Sequence, residues 1–505
     1  MSVDPMDRAA AARHASEMEW LDRSIGGLRQ AAPDMSAQRV LSRRQQIAIA
    51  VLIVLIIGAG FADLFLTLRI MVAGATLLYA CTLVYRLILV RRGLAGSHLI
   101  QVSDADALAV PTSDLPTYSV LVPAYKEPAV IAKIIDSVSG LNYPADKLDV
   151  RLLLEADDED TITAARARVA AIASPRITIV LVPPVEPRTK PKACNFGLQS
   201  ASGDRVTIFD AEDRPEPLQL RRAVVALDRL GDGYACVQAR LGYFNSTQNW
   251  ITRWFTLEYG TWFRFLLPGL VSVGAPIPLG GTSNHFRTGL LRALLAWDPY
   301  NVTEDADLGI RLARLGYSVG VLDSITEEEA NSDFVNWVRQ RSRWYKGYLQ
   351  TWLVHMRRPV AVHRELGWRG ALGLHLFILG TPLTTLMNPI FWALAIAWYL
   401  QKPNGVALLF PPAVYYLALA CFVIGNAAVI YVNVLIARVM NRPVLLGAAL
   451  LVPVYWVMMS VAAVKAAYQL VFQPSYWEKT LHGLNEKTSH GLNTEPSPDL
   501  AKVTA

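Results

Sequence analysis

Residues 118–128 read YSVLVPAYKEP, a run that passes from an apolar strand pattern into a polar turn. Strands that alternate with helices indicate a mainly parallel sheet covered on both faces, whose ligands bind at the carboxyl ends of the strands. We therefore expect functional side chains in the turns that follow the strands. Further strands are predicted at 148–155, 177–182 and 206–210, with helices near 128–139, 161–173, 191–201 and 216–229.

Two long apolar blocks enclose this region, at 46–90 and 370–472. The chain has 505 residues and is only 18% charged, below the roughly 25% of an average soluble protein. Segments 47–66 and 70–90 each have about 20 mostly apolar residues, enough to span a bilayer. Residues 67–69 would form the turn of a transmembrane hairpin.

The second apolar block predicts one span near 372–400 and another near 410–436. Its last part, 443–472, contains Pro453 and fits either a fifth span or a broken re-entrant pair. Hydropathy leaves both open. The predicted organisation is an N-terminal tail at 1–45, a hairpin at 46–91, an α/β domain at 115–350, an interfacial segment at 351–371, membrane helices at 372–472 and a C-terminal tail at 473–505.

The basic residues lie beside the apolar blocks, although the net charge of +6 alone could suggest nucleic acid. Arg43, Arg44, Arg91 and Arg92 flank the first block, as the positive-inside rule predicts for cytoplasmic loops. We therefore expect a multi-pass protein of the inner or plasma membrane with a cytoplasmic α/β domain, and no nucleic-acid role. Four cysteines without a CxxC pair predict neither a disulfide framework nor a zinc site.

Acidic residues recur where predicted strands end. Glu155, Asp157 and Asp158 follow the second strand, and Asp210 and Glu212 follow the fourth. Carboxylates that meet at one sheet edge repel one another unless a cation or a proton relieves them. Mg²⁺ or Mn²⁺ with a diphosphate suits such a site, because hard cations take a few protein carboxylates and several phosphate oxygens.

Two further motifs follow, Thr303-Glu304-Asp305 and the QRSRW run at 340–344. In this order the motifs resemble those of the processive, membrane-integrated family 2 glycosyltransferases, namely cellulose, hyaluronan and bacterial β-glucan synthases. The resemblance covers roughly 115–350 and looks closest to synthases of bacterial β-glucan exopolysaccharides. It implies a GT-A-like α/β glycosyltransferase domain inserted between transmembrane α-helices. It also implies a nucleotide-sugar donor such as UDP-glucose, a polysaccharide acceptor and export across the bilayer through the chain's own channel.

The resemblance also implies roles for individual residues. Asp305 would be the catalytic base, and Asp210 and Glu212 would hold the metal. The nucleotide pocket would contain Pro123, Ala124, Tyr125, Glu127, Glu155, Asp157, Asp158, Lys192 and Asn195. The acceptor and diphosphate would contact Thr282, Glu304, Gln340, Arg343 and Trp344. A gating loop would include Lys479, Thr480 and His482. Because this loop must reach the nucleotide, it favours a cytoplasmic C-terminal tail.

Alternatives remain both for the roles of individual residues and for the function of the chain. Asp157 and Asp158 also fit an ordinary cap of the helix that follows them, and Glu304 and Asp305 fit an acidic first helical turn. A single-transfer glycosyltransferase that acts on a lipid carrier could share the nucleotide and metal motifs. A channel or scaffold subunit with an inactive transferase domain is the alternative outside the enzymes. The sequence does not identify export partners.

Overall fold

The computed structural model describes residues 5–96, 98–172, 176–401, 404–474 and 476–478. Within them one mixed sheet contains strands in the order β1-β9-β7-β8-β5-β2-β3-β4, and β6 pairs with β9 off this path. The strands are β1 Leu99–Ile100, β2 Tyr118–Ala124, β3 Leu148–Glu155, β4 Ile177–Val182, β5 Arg205–Ile208, β6 Arg214–Pro215, β7 Tyr234–Tyr243, β8 Asn284–Arg287 and β9 Ser318–Glu328.

The helices divide into three groups. The N-terminal group is α1 Pro5–Ala31, α2 Arg43–Ala62 and α3 Leu64–Leu94. The domain contains α4 Asp104–Ala109, α5 Ile131–Ser139, α6 Glu159–Ile172, α7 Lys190–Ser200, α8 Gln219–Leu230, α9 Trp250–Thr261, α10 Leu267–Val273, α11 Thr288–Ala293, α12 Glu304–Arg314 and α13 Phe334–His355. The C-terminal group is α14 Pro359–Gly373, α15 Gly380–Gln401, α16 Asn404–Leu409, α17 Pro412–Ala420, α18 Asn426–Val439, α19 Leu446–Leu450 and α20 Val452–Phe472. Short π-helical segments join some of these at Trp262–Leu266, Leu374–Leu379 and Cys421–Gly425, and 3₁₀ turns lie at Pro33–Met35, Ala145–Lys147 and Pro443–Leu445.

The predicted strands correspond to β2, β3, β4 and β5, and these four pair in parallel. Side chains on the two faces of β2 enter different cores. Leu121 packs in the cluster that contains Leu198 of α7, whereas Val120 and Val122 pack in the cluster that contains Ile131 of α5. A strand buried on both faces reads as a continuous apolar run, which is why β2 is recognisable in the sequence.

The sheet departs from the prediction at β8, which pairs antiparallel with both β5 and β7. Beyond β8, strands β7, β9 and β1 again pair in parallel. β8 has four residues and its sequence, NHFR, is largely polar. It carries none of the apolar run or the alternation by which strands are recognised. The sheet is therefore mainly parallel, as predicted, with antiparallel pairs that were not predicted at β8 and β6.

Within the described ranges, five helical segments are long and apolar enough to cross a membrane: Arg43–Ala62, Leu64–Leu94, Pro359–Leu400, Pro412–Val439 and Val452–Phe472. The first two are separated at Asp63, not at residues 67–69 as predicted. Asp63 accepts a hydrogen bond from the Leu66 backbone at 2.9 Å and so caps α3. A capping carboxylate satisfies a free helix-end N–H, a local effect that averaged hydropathy does not detect.

α20 packs along α13 of the domain. Lys346 of α13 donates a hydrogen bond to the Tyr476 carbonyl at 2.6 Å, so the segment after α20 lies against the domain. The opposite face of α20 exposes apolar side chains three or four residues apart, which makes one continuous stripe. The stripe consists of Val454, Val457, Val461, Val464 and Tyr468, each about half exposed.

Two glycines join α3 to the domain. A Cβ atom on Gly93 would lie 2.0 Å from the Phe265 carbonyl oxygen, and one on Gly269 would lie 2.3 Å from the Leu89 carbonyl oxygen. No side chain fits at either position, because real Cβ atoms do not approach backbone oxygens so closely. α3 and the segment 262–273 are therefore in direct backbone contact.

Candidate active site

One cavity of about 620 Å³ begins at the carboxyl ends of β2, β3 and β5 and continues between α3, α15, α18 and α20. The strand ends thus open toward the candidate membrane helices rather than only toward bulk water. Most of the predicted site residues line this cavity: Pro123, Ala124, Tyr125, Glu127, Glu155, Asp210, Glu212, Thr282, Glu304, Asp305, Gln340, Arg343 and Trp344.

Two of the predicted nucleotide residues, Asp157 and Asp158, support the pocket from outside the cavity wall. Asp158 accepts a hydrogen bond from the Lys126 backbone at 2.5 Å and a longer one from the Thr161 backbone at 3.4 Å. It therefore caps α6 and also fixes the turn after β2, where Lys126 has a φ of 56°. Asp157 forms an ion pair with Arg188 at 2.6 Å, and Arg188 lines the cavity.

Lys192 and Asn195 do not line the cavity, and their contact with the nucleotide stays a prediction. The Lys192 side chain is fully buried and forms an ion pair with Glu155 at 2.8 Å. Asn195 exchanges hydrogen bonds with the Trp297 backbone, at 2.8 and 3.1 Å. Both residues stabilise the framework behind the pocket.

Lys190 lines the cavity instead and was missed in the sequence. Residues 190 and 192 lie 200° apart around a helix with 3.6 residues per turn, so they point to opposite sides of α7. The Lys190 ammonium contacts the Asp210 carboxylate and donates to the Gly281 carbonyl at 2.7 Å. Burial alone would lower the pKa of Lys190, but the nearby Asp210 holds that pKa above its usual value. The sequence signal that could have identified Lys190 is its position at the start of α7, where side chains face the strand ends.

An acidic cluster lies next to Lys190, and one of its members, Glu328 at the end of β9, was also missed. Asp213 accepts a hydrogen bond from the Asp210 backbone at 2.8 Å and shares a short bond with the Thr282 hydroxyl. Burial, followed by the charges of Asp210 and Glu212, raises the pKa of Asp213 well above its usual value. Burial and the same group of acids also raise the pKa of Glu328.

These carboxylates offer hard oxygen donors but no complete protein cage for a metal. Among the described residues, no three histidine, cysteine or acidic side chains come together as a metal site. One oxygen of Asp213 and one of Glu328 are buried without a hydrogen-bond partner in that part of the chain. The set therefore fits a divalent cation that takes only the Asp210 and Glu212 carboxylates from the protein and phosphate oxygens from a ligand.

Glu304 and Asp305 begin α12 and face the same cavity. Burial raises the pKa of Asp305 to about 6, although the Ala306 backbone N–H, Lys190 and Arg343 act in the opposite direction. Burial and the charge of Asp305 raise the pKa of Glu304 to about 8. At neutral pH Asp305 is therefore ionised and able to accept a proton, whereas Glu304 is mostly neutral.

The 340–344 motif lies on α13, and its predicted residues Gln340, Arg343 and Trp344 line the cavity. The Arg343 guanidinium lies 4.8 Å from the centre of the Trp477 ring, and the Trp344 ring stacks on Tyr259 at 6.2 Å. Arg343 thus brings a positive charge to the acids, and Trp344 contributes an apolar ring face to the wall.

An ion pair within this wall joins three helices. Arg341 of α13 binds both carboxylate oxygens of Glu258 in α9, at 2.7 and 2.5 Å. Tyr455 of α20 donates to the same carboxylate at 2.7 Å. The guanidinium also lies 4.6 Å from the Trp344 ring centre. This pair ties the cavity wall to a C-terminal helix. The pairing of Arg341 with Glu258 was not predicted.

The predicted gating residues Lys479, Thr480 and His482 lie outside the described residues. The segment just before them is described, and Trp477 lines the cavity. Glu478 forms an ion pair with Lys465 of α20 at 2.8 Å. The described end of the chain is therefore beside the site, and the gating role stays a prediction.

Residues 116–347 match the family model described as glycosyltransferase like family 2, so this part of the chain is similar to glycosyltransferase family 2 domains. Two curated relatives are a beta-monoglucosyldiacylglycerol synthase of Synechocystis sp. and glucomannan 4-beta-mannosyltransferase 1 of Oryza sativa subsp. japonica. The first is 30% identical over 54% of this chain and 55% of its own length. The second is 27% identical over 47% of this chain and 46% of its own. The matches thus span about half of each relative.

Among solved structures, the fold is similar to that of the mannosyltransferase PcManGT from Pyrobaculum calidifontis, solved in complex with GDP-Man and Mn²⁺. The TM-score is 0.51 at 20% sequence identity, and the likeness covers 79% of this chain and 99% of that one. The α/β domain therefore has the GT-A-like fold that the sequence motifs predicted.

Proposed function

We propose that the chain is a nucleotide-sugar-dependent glycosyltransferase that transfers a sugar, with inversion, to an acceptor hydroxyl arriving from the membrane side. The observation that carries this proposal is the position of Asp305. It lies in a cavity with the nucleotide residues Tyr125 and Glu127 at one end and the helices α15 and α18 at the other. A base between donor and acceptor sites is what an inverting transfer needs.

In the proposed reaction, Asp305 takes the proton of the acceptor hydroxyl as the hydroxyl oxygen bonds to the anomeric carbon. The bond between that carbon and the nucleoside diphosphate breaks at the same time. Asp210 and Glu212 would hold a divalent ion, Mg²⁺ or Mn²⁺, whose charge stabilises the leaving diphosphate. Lys190 and Arg343 add positive charge at the same place. The GDP-Man and Mn²⁺ bound by the Pyrobaculum enzyme support a nucleotide sugar and a metal here.

For the acceptor, we propose a growing β-linked polysaccharide made from UDP-glucose and exported through the membrane helices. This follows from the motif resemblance, and the glucomannan mannosyltransferase among the relatives also supports it. The cavity continues from Asp305 between α3, α15 and α18, along the path that such a product would take. Basic residues at both edges of the first apolar block support a cytoplasmic domain in the inner or plasma membrane.

A second candidate is a single transfer to a lipid acceptor. A charged residue of α3, Arg86, lines the membrane end of the cavity, and an anionic lipid would neutralise it. The synthase of beta-monoglucosyldiacylglycerol among the relatives also supports this candidate. The non-enzymatic alternative, a scaffold with an inactive domain, is disfavoured because Asp210, Glu212 and Asp305 all face the cavity.

Product analysis tests these candidates. The purified chain is placed in lipid vesicles with radiolabelled UDP-glucose and Mg²⁺ or Mn²⁺. A large, glucanase-sensitive product would support the processive synthase, and a small lipid-extractable product would support the single transfer. No product and no donor hydrolysis with any nucleotide sugar would overturn both and favour the scaffold.

The raised pKa of Asp305 predicts a pH dependence. Because the base acts in its ionised form, kcat/KM should be level above about pH 6 and fall about tenfold per unit below it. The charge of Lys190 lowers this pKa, so Lys190→Gln should shift the acid limb to higher pH. A profile of kcat/KM against pH at saturating metal measures the acid limb of the parent chain and its shift in Lys190→Gln. A limb that stays in place in Lys190→Gln would show that the charge of Lys190 does not act on the base.

A further inference from the structure

Arg86 lies inside a candidate membrane span. It is six residues before Arg92 in α3, about 9 Å at 1.5 Å per residue. Arg92 is exposed and flanks the apolar block, whereas Arg86 is only partly exposed and lines the cavity. A charged side chain within a span is costly and marks a functional site by default. Its partner must therefore be identified.

Within the described part of the chain, the only aromatic ring over the Arg86 guanidinium is that of Phe377, at 5.7 Å, and no acid pairs with it. Its guanidinium donates one hydrogen bond, to the Thr381 hydroxyl at 2.7 Å, and its Nε atom is buried without a partner. Across the described ranges, no carboxylate lies within ion-pair distance of it. Glu258 acts on it electrostatically, but that carboxylate is already held by Arg341 and Tyr455.

Other polar groups of the same cavity also lack partners among the described residues. The Thr82 hydroxyl is buried and makes no hydrogen bond within the described part of the chain. The amides of Asn388 in α15 and Asn426 in α18 line the part of the cavity between α3, α15, α18 and α20, called the chamber below. They have no hydrogen-bond partner in the described part of the chain. Within a bilayer such groups need a partner that is neither lipid tail nor backbone. Together with Arg86 these residues place polar groups along the wall of one cavity.

The same chamber has apolar walls. Leu83 of α3, Val429 of α18 and Met459 of α20 line it beside the polar groups. A ligand that satisfies both kinds of surface carries an anion and an apolar chain. A guanidinium presents its donors as a planar fork that matches the oxygens of a phosphate.

We propose that this chamber binds the phosphate group of a membrane lipid, with Arg86 as its principal contact. The proposal rests on the second candidate function, the single transfer to a lipid acceptor, and deepens it by assigning the acceptor class: a lipid that carries an anionic phosphate, with or without attached sugars. Thr82, Asn388 and Asn426 would donate the remaining hydrogen bonds. A neutral glycan alone would leave the charge of Arg86 unpaired.

The test measures melting temperatures of the full chain in polyoxyethylene detergent, which contains neither phosphate nor sugar. Phosphatidic acid, a polyprenyl phosphate, diacylglycerol and inorganic phosphate are added separately. Both lipid phosphates should raise the melting temperature, and the other two should not at equal concentration. Arg86→Gln should require about ten- to hundredfold more lipid phosphate for the same rise, because a charged hydrogen-bonding partner is lost. Arg92→Gln, an exposed change in the same helix, should respond like the parent chain.

Three outcomes would overturn the proposal: an equal response in Arg86→Gln, an equal response to diacylglycerol, or an equal response to inorganic phosphate. An equal response to inorganic phosphate would indicate a site for free anions and would exclude a specific site for lipid phosphate. A shift induced by UDP shows that each variant is folded. If Arg86→Gln loses that shift, Asn388→Leu becomes the deciding variant, and an unchanged lipid response there would count against the site. Since these readouts need no turnover, an inactive parent chain would refute the proposed function separately.

Discussion

Replacing Asp305 with asparagine should lower the rate of sugar transfer by about a hundred- to ten-thousandfold, the usual contribution of a general base. The amide has nearly the same shape as the carboxylate but cannot accept the acceptor proton. Binding of UDP, measured by calorimetry, should change little, because the nucleotide residues at the ends of β2 and β3 are untouched. A rate within tenfold of the parent chain would exclude Asp305 as the base.

The neighbouring acid provides a matched control. Glu304 shares the cavity and the helix start with Asp305, but its pKa is raised to about 8 by burial and by the Asp305 charge. Near pH 7 it is mostly protonated, so glutamine resembles the form already present. Glu304→Gln should therefore reduce transfer by less than tenfold. Equal losses in the two variants would mean that the pair acts as a unit and that no single base can be assigned.

Glu258→Gln should cause the largest loss of stability, about 3–5 kcal/mol in the free energy of unfolding. The change leaves the buried Arg341 guanidinium without its charged partner and also weakens the Tyr455 contact. Chemical unfolding of the purified chain in detergent measures the loss. Because Tyr455 belongs to α20, proteolysis of that helix should also become faster.

Arg339→Gln is the control for this second prediction. Arg339 lies on the same helix as Arg341 and pairs with Glu478 at 3.6 Å, but its side chain is 43% exposed. Exposed ion pairs contribute about 1 kcal/mol or less, so this variant should unfold almost like the parent chain. If Glu258→Gln were equally mild, the Arg341 pair would have no structural role.

The parts of the fold that sequence reasoning predicted are those with strong periodic signals. β2 to β5 were predicted because their side chains enter apolar cores on both faces of the sheet. The acids at the strand ends were predicted for a related reason, since parallel strands bring their carboxyl ends to one edge. Asp210, Glu212 and Asp305 indeed line one cavity.

The parts that were missed depend on local geometry or on long-range contact. The sequence pointed to Lys192, whereas Lys190 lines the cavity. The two differ in helical phase, which only the starting residue of α7 resolves. The antiparallel β8 has too few apolar residues to give a strand pattern. Arg86 was hidden because a window average over α3 is dominated by its apolar neighbours. Its importance depends on Thr381 and Glu258, which are distant in the sequence.

The close packing at Gly93 and Gly269 has a consequence for acceptor choice. With backbone touching backbone there, the α/β domain is held directly against α3. The separation between the base at Asp305 and the guanidinium of Arg86 is then a fixed dimension of the molecule. An acceptor that is bound at Arg86 but is too short to extend to Asp305 would then not be modified, whatever its affinity.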